Sequence, residues 1–305
     1  MGSVVQSLRV QWNGPIDLFL SGHKGLAATR GVLASDPSVI RCAVIARDKG
    51  LVDDPADEIA EALQSAGIPT QDNIPLNTGR AAALAVGWKR LIHADYESVF
   101  VIHDSLLPHL RGWNPLVTAL ADGDASIGAT LFLADGGMDT GPIISQASIP
   151  IELPTRYSEA LDLVGECISN LVVKLLARLP SGGVVANPQN ELAATYSLWR
   201  DEDDYLIDWS SDADRIQRHI FAVGYPYRGA KAFLAGESVR ILDAEVWSTD
   251  VSVVNRQPGK IFAIERGYPL VVCGKGLILL TEVVDARGTS LLPITRVRQR
   301  FSSRI

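Results

Sequence analysis

The sequence predicts an α/β protein: a parallel sheet with helices over residues 1–185, then a smaller domain over 186–305 made of a helix and a small antiparallel, OB-like barrel. Three observations predict it. Near-continuous apolar runs alternate with helix-length amphipathic stretches in the N-terminal half, the pattern of a parallel sheet covered on both faces. The loop LPSGGVVANPQNE (179–191) is rich in Pro, Gly and Asn, as linkers are. Beyond it, short β-like pieces are separated by Gly and Pro turns, the texture of a small barrel.

Taken in order, IDLFLSG (16–22) reads as a strand and HKGLAATRGVLAS (23–35) as the helix that follows. IRCAVIARD (40–48) is the next strand. DPADEIAEALQSAG (54–67) is a helix with acidic residues in its first turn and Gly67 at its end, as the helix dipole and capping favour. AAALAVGW (81–88), SVFVIHD (98–104) and IGATLFLAD (127–135) read as further buried strands, and 155–179 as a long helix. After the linker come one amphipathic helix, SDADRIQRHIFAVG (211–224), and the β-like pieces AKAFLAG, VRILDAEVW, GKIFAIERG and PLVVCGKGLILLTEVV. In open parallel sheets ligands sit at the carboxyl ends of the strands. Ser21-Gly22, Gly87-Trp88, His103-Asp104 and Asp135 all fall there.

Composition narrows the function classes. The 305 residues are 47% apolar and 21% charged, which excludes a disordered chain. A net charge of -7 argues against a surface built to hold nucleic acid, though not against one local basic pocket. Cys42, Cys167 and Cys273 form no C-x-x-C pair, which points to buried thiols in a reducing compartment. No signal-peptide core and no membrane-length apolar run is present, so a cytoplasmic protein is expected. The five histidines (23, 93, 103, 109, 219) show no metal-binding spacing, and no metal is expected.

The chemistry concentrates in VFVIHDSLLPHLRGWNP (99–115) and DGGMDTGP (135–142). His103 ends a strand, and Asp139 sits between glycines that let the backbone approach a ligand. A histidine held by a carboxylate can take up and return a proton, which suits an acyl transfer to an amine. The alternative is structural: His103 caps a strand and Asp139 closes a turn. Trp88 could stack on a planar ligand or pack in the core. Arg111 and Arg228, each followed by Gly, could hold anions or lie on the surface.

HDSLLPHLRG followed by GDASIGATLFLADGGMDTGPII resembles the folate-dependent formyltransferases, relatives of methionyl-tRNA formyltransferase and the nucleotide-sugar N-formyltransferases. Ile207-Asp208-Trp209, GYPYRGAKAFL and QPGKIFAI resemble the C-terminal elements of its two-domain members. The resemblance covers most of the chain. It implies a Rossmann-like catalytic domain, 10-formyltetrahydrofolate as formyl donor, and His103 and Asp139 as the catalytic pair. It also implies a pterin slot lined by Trp88, Lys89, Arg90 and Leu91 and by Leu133, Asp135 and Gly137. Ser105 and Arg111 lie in the loop that matches the family's SLLPxxRG and are expected to contact the substrate.

One departure stands out. The family pattern Asn-x-His reads Val101-Ile102-His103 here, so the amide that would face the formyl oxygen is missing. Asp104 or Asn114 are the candidates to replace it. The expected acceptor is a small amine, foremost an amino-sugar nucleotide, since YPYRGA and SLWRDEDDYLIDW look closer to the sugar enzymes. Tyr225, Tyr227 and Arg228 are the expected acceptor contacts. Hydrolysis of the donor and folate binding without catalysis are the alternatives, and a homodimer stays open.

Overall fold

The computed structural model describes residues 7–73, 81–92, 95–248 and 250–304. His93, one of the five histidines, lies outside them. In chain order the elements are β1 (Leu8–Val10), β2 (Ile16–Ser21), α1 (Gly22–Leu33), β3 (Ile40–Ala46), α2 (Ala56–Ser65), β4 (Thr70–Gln71), β5 (Ala82–Val86), β6 (Ser98–His103), β7 (Arg111–Gly112), α3 (Pro115–Asp122), β8 (Ser126–Leu133), β9 (Ile143–Pro150) and α4 (Tyr157–Arg178). There follow β10 (Val184–Ala186), β11 (Tyr196–Ser197), α5 (Ala213–Ala222), β12 (Ala230–Leu234), β13 (Glu237–Ser248), β14 (Ile261–Glu265), β15 (Tyr268–Val272), β16 (Leu277–Asp285) and β17 (Phe301–Ser302).

The chain forms two compact units that interleave in sequence. One comprises Met1–Pro115, Ser126–Pro150 and Ala160–Leu198; the other comprises Leu116–Ala125, Ile151–Glu159 and Trp199–Ile305. The first unit holds a seven-stranded sheet in the order β4-β3-β2-β5-β6-β8-β9. From β4 to β6 the pairs are parallel, and every residue of β2 and β5 is buried, which explains their unbroken apolar runs. The expected Rossmann-like sheet is mixed at its far side, where β8 runs antiparallel to β6 and pairs in the same sense with β9. An eight-residue apolar run carries no mark of strand direction.

Among the described residues, the helices that pack on this sheet lie on one face. A Cβ on Gly25 of α1 would lie against Leu20 and Ile59, and Gly31 brings α1 close to Ser169 and Val172 of α4. On the opposite face Phe19, Val44, Ala83 and Ala85 are buried beneath Trp88, Ile92, Tyr96, Val99 and Val101. Val99 and Val101 of that cover belong to β6, and Trp88, Ile92 and Tyr96 to the connection between β5 and β6, which is shorter than most parallel crossovers. Helices on both faces were expected; among the described residues this face has none.

The second unit contains a curled antiparallel sheet, β14-β15-β16-β13-β12-β17. Its edges meet where Phe301 N–H donates to Gly259 O (2.8 Å) and Ile261 N–H to Gln299 O (3.2 Å), giving a half-barrel. The amphipathic α5 buries Ile216, Ile220 and Phe221. Ile207 and Trp209 anchor the chain in the core, while Asp208 between them accepts hydrogen bonds from Ser210 and Ser211. Among the described residues no helix is long and apolar enough to cross a membrane, and no cluster of three or more metal-binding side chains occurs.

Candidate active site

His103 is the last residue of β6 and is 8% exposed. Its Nε2 lies 2.9 Å from the carbonyl oxygen of Leu110. A carbonyl only accepts, so Nε2 carries the proton and the neutral ring has its lone pair on Nδ1. That nitrogen faces Asp139 Oδ2 at 3.7 Å, an ion-pair distance beyond hydrogen-bond reach. The imidazole is therefore fixed at one nitrogen and open at the other. A proton arriving at Nδ1 would meet a carboxylate.

Asp139 is held in turn. Its Oδ2 accepts the backbone N–H of Gly112 at 2.8 Å. Gly112 has φ 99°, and a Cβ there would stand 2.6 Å from the Ser197 carbonyl oxygen, so only glycine fits. Asp139 itself sits at φ 54° and Leu110 at φ 55°. Both partners of His103 thus come from residues in the sparsely populated left-handed region, a kind of strain that clusters at functional sites.

Asp104 does not fill the place of the missing amide. It is buried and turned to the α1 side of the strand, where Lys24 Nζ approaches its Oδ2 at 2.5 Å. Burial pushes its carboxyl up, but the charges of Lys24 and then His103 outweigh that and hold it below its ordinary value of 3.8. The pair stabilises the fold above that ordinary value, and the contribution is lost as pH falls through the lower folded value. In Lys24→Met the largest influence opposing burial is removed, so the folded pKa rises toward or past its ordinary value and this gain of stability with pH shrinks. Lys24→Met should cost about 3 kcal/mol near neutrality. Urea midpoints between about pH 3 and about pH 7 check it; a variant whose stability rises with pH as steeply as the wild type's would refute the pairing.

Val101 pairs with Ala85 and Phe132 and belongs to the apolar cluster on the face that alternation assigns to His103. Trp88, at the end of neighbouring β5, packs on that same cluster, its ring edge-on to Phe19 at 5.1 Å. Its indole Nε1 is buried with no hydrogen-bond partner among the described residues. Of the other slot residues, Lys89 pairs with Asp48 at 2.5 Å, Arg90 lies over the Trp88 ring at 5.8 Å, and the Leu91 side chain is exposed. Leu133 is buried. Asp135 shapes its own loop by accepting from Gly137 N–H and the Thr140 hydroxyl.

Two expectations are corrected. Ser105 is buried, and its hydroxyl donates to the His109 carbonyl at 2.6 Å. Arg111 has no exposed surface; Glu191 at 2.7 and 2.8 Å and Gln189 at 2.8 and 3.1 Å take up its guanidinium. Both shape the loop rather than face a substrate, because the chain returns over them after α4. Tyr225, Tyr227 and Arg228 lie in the second unit. Tyr225 and Arg228 are exposed there, whereas the Tyr227 ring packs against Tyr157 and Tyr205. Sequence reasoning missed Lys24, Leu110, Gln189 and Thr195. Only Lys24 carried a signal, as a cation just after a strand end.

The family model "Formyl transferase" matches residues 84–163, and "Formyl transferase, C-terminal domain" matches 200–293. The methionyl-tRNA formyltransferase of Dechloromonas aromatica is 33% identical over 62% of this chain and 59% of its own length. The chain thus spans about 60% of the curated relatives it matches. An N-formyltransferase from Helicobacter canadensis, solved with folinic acid and dTDP-3-aminofucose, superposes with TM-score 0.68 at 15% identity, covering 88% of this chain and 99% of that one. HypX from Aquifex aeolicus with tetrahydrofolic acid gives 0.60 at 19%, covering 90% and 45%. At these identities the structural likeness is one of fold.

Proposed function

The chain belongs to the formyltransferase family, and on that premise we propose that it transfers a formyl group from 10-formyltetrahydrofolate to the amine of a small acceptor. The observation that carries this is the histidine at the end of β6. Its Nε2–H is committed to Leu110, and its Nδ1 is turned to Asp139. The donor supplies an activated formyl carbon. As the amine attacks that carbon, Nδ1 takes up the amine's proton and Asp139 stabilises the resulting imidazolium. The same proton returns to the folate nitrogen as its bond to the formyl carbon breaks. The residues present suit the donor, because a heterocycle lodged beside Trp88 would satisfy the buried indole N–H and cover an apolar, half-open sheet face. The catalytic work is assigned to residues 1–185.

The proposed acceptor is an amino-sugar nucleotide. A net charge of -7 supports a small acceptor over a transfer RNA, whose binding calls for an extended basic surface. The test is tetrahydrofolate release from 10-formyltetrahydrofolate, followed alone and with a panel of amino-sugar nucleotides, amino acids and methionyl-tRNA. Release that depends on an amino-sugar nucleotide is the expected result. Release with methionyl-tRNA alone would overturn the acceptor class, and release without any amine would indicate hydrolysis. Tight folate binding with no release under any condition would refute catalysis.

A further inference from the structure

We infer that the segment 187–197 is the clamp that sets the tautomer and orientation of His103, with Gln189 and Thr195 as positioning residues. The inference uses the formyl-transfer reading for its kinetic readout but not for its geometry. Both partners of the imidazole, the Leu110 carbonyl and the Asp139 carboxylate, belong to non-glycine residues with positive φ, 55° and 54°. A backbone held in that region relaxes unless its surroundings over-determine it. One stretch of chain, distant in sequence, restrains both.

On the Leu110 side the Thr195 hydroxyl accepts the Leu110 N–H at 2.8 Å. Backbone bonds flank that contact: Thr195 N–H to Pro108 O at 3.1 Å, and Arg111 N–H to Thr195 O at 2.9 Å. On the Asp139 side Gln189 Nε2 donates to the carbonyls of Asp139 and Gly141, at 2.8 and 2.7 Å. Its Oε1 accepts from Arg111 Nε and Nη2 at 3.1 and 2.8 Å, so the amide has one orientation that satisfies every group. Glu191 holds Arg111 from the far side through both carboxylate oxygens. Arg111 leads directly into Gly112, whose N–H orients the Asp139 carboxylate. The two restraints therefore meet at β7, which pairs with β11 of the clamp. The matched family models end at residue 163 and resume at 200, so the clamp lies between them.

The test compares Thr195→Val, Thr195→Ser and Gln189→Glu with the wild-type chain by ¹⁵N NMR of the histidine rings and by steady-state kinetics. The His103 signal is identified by its loss in His103→Asn. The wild-type neutral ring should show the Nε2–H tautomer that the Leu110 carbonyl requires. Thr195→Val should show mixed tautomers and a kcat about 10-fold lower, with the donor KM changed by less than about 3-fold. Thr195→Ser keeps the hydroxyl and should restore both. Gln189→Glu turns acceptor oxygens on two carbonyls and should lower kcat by about 10-fold or more. An unchanged tautomer in Thr195→Val, or a serine variant that fails to rescue it, would overturn the clamp. Should Thr195→Val not fold, an unchanged His103 signal and kcat in Gln189→Glu would do the same. If the wild-type protein transfers no formyl group, the NMR arm still decides, so the two failures are distinct.

Discussion

His103→Asn should lower kcat for formyl transfer by about 10³-fold at saturating donor and acceptor. The amine that attacks the formyl carbon must lose a proton, and among the residues of the site only the Nδ1 of His103 combines an open lone pair with a facing carboxylate. Asparagine is smaller than histidine and polar, so β6 and the apolar cluster beside it keep their packing. What it cannot do is exchange a proton near neutral pH. The melting temperature should stay within a few degrees of wild type, and donor affinity by calorimetry within about 3-fold. A loss below about 10-fold would place the proton acceptor elsewhere.

Asp139→Asn should lower kcat by about 10²-fold without loss of stability. Asparagine tolerates the φ of 54° as well as aspartate does and keeps a side-chain oxygen for the Gly112 N–H. It removes the charge and little else. Asp139→Ala should lose as much activity and also about 1–2 kcal/mol of stability, because alanine is strained at that φ and leaves the Gly112 N–H unpaired. The pair of variants separates the two jobs of this residue. Activity kept in Asn and lost in Ala would show that Asp139 only shapes its loop. Thermal melts beside the kinetics are sufficient to tell.

The strands were legible because their chemistry is local. IDLFLSG and SVFVIHD are apolar runs that only a buried strand accommodates, and their ends coincide with β2 and β6 to within a residue. His103 was legible for the same reason, as a polar residue at the carboxyl end of such a run. Asp139 was legible through the glycines around it, which mark a backbone that turns close to something. The resemblance to a family rests on those same two loops, and the family models match the chain around them.

Other features had no local signature. Arg111 looks like a free cation beside a glycine until the chain comes back some 80 residues later with Gln189 and Glu191. Asp104 looks like a stand-in for the missing amide, yet the fold turns it to the other side of the strand, to Lys24 on α1. The direction of β8 and the helix-free face over Phe19 depend on how connections cross the sheet, which periodicity does not record.

By itself the sequence determined where the main buried strands and the long helices form, and that a strand end and a Gly-rich loop deliver a histidine and an aspartate, since these follow from hydrophobic period and turn chemistry. Only the tertiary structure decided which nitrogen of His103 is open, which charges are already paired, and what holds Leu110 and Asp139 in place. The physical reason is that those properties belong to pairs of groups far apart in the chain. Their energies exist only once the fold has brought both members of each pair together.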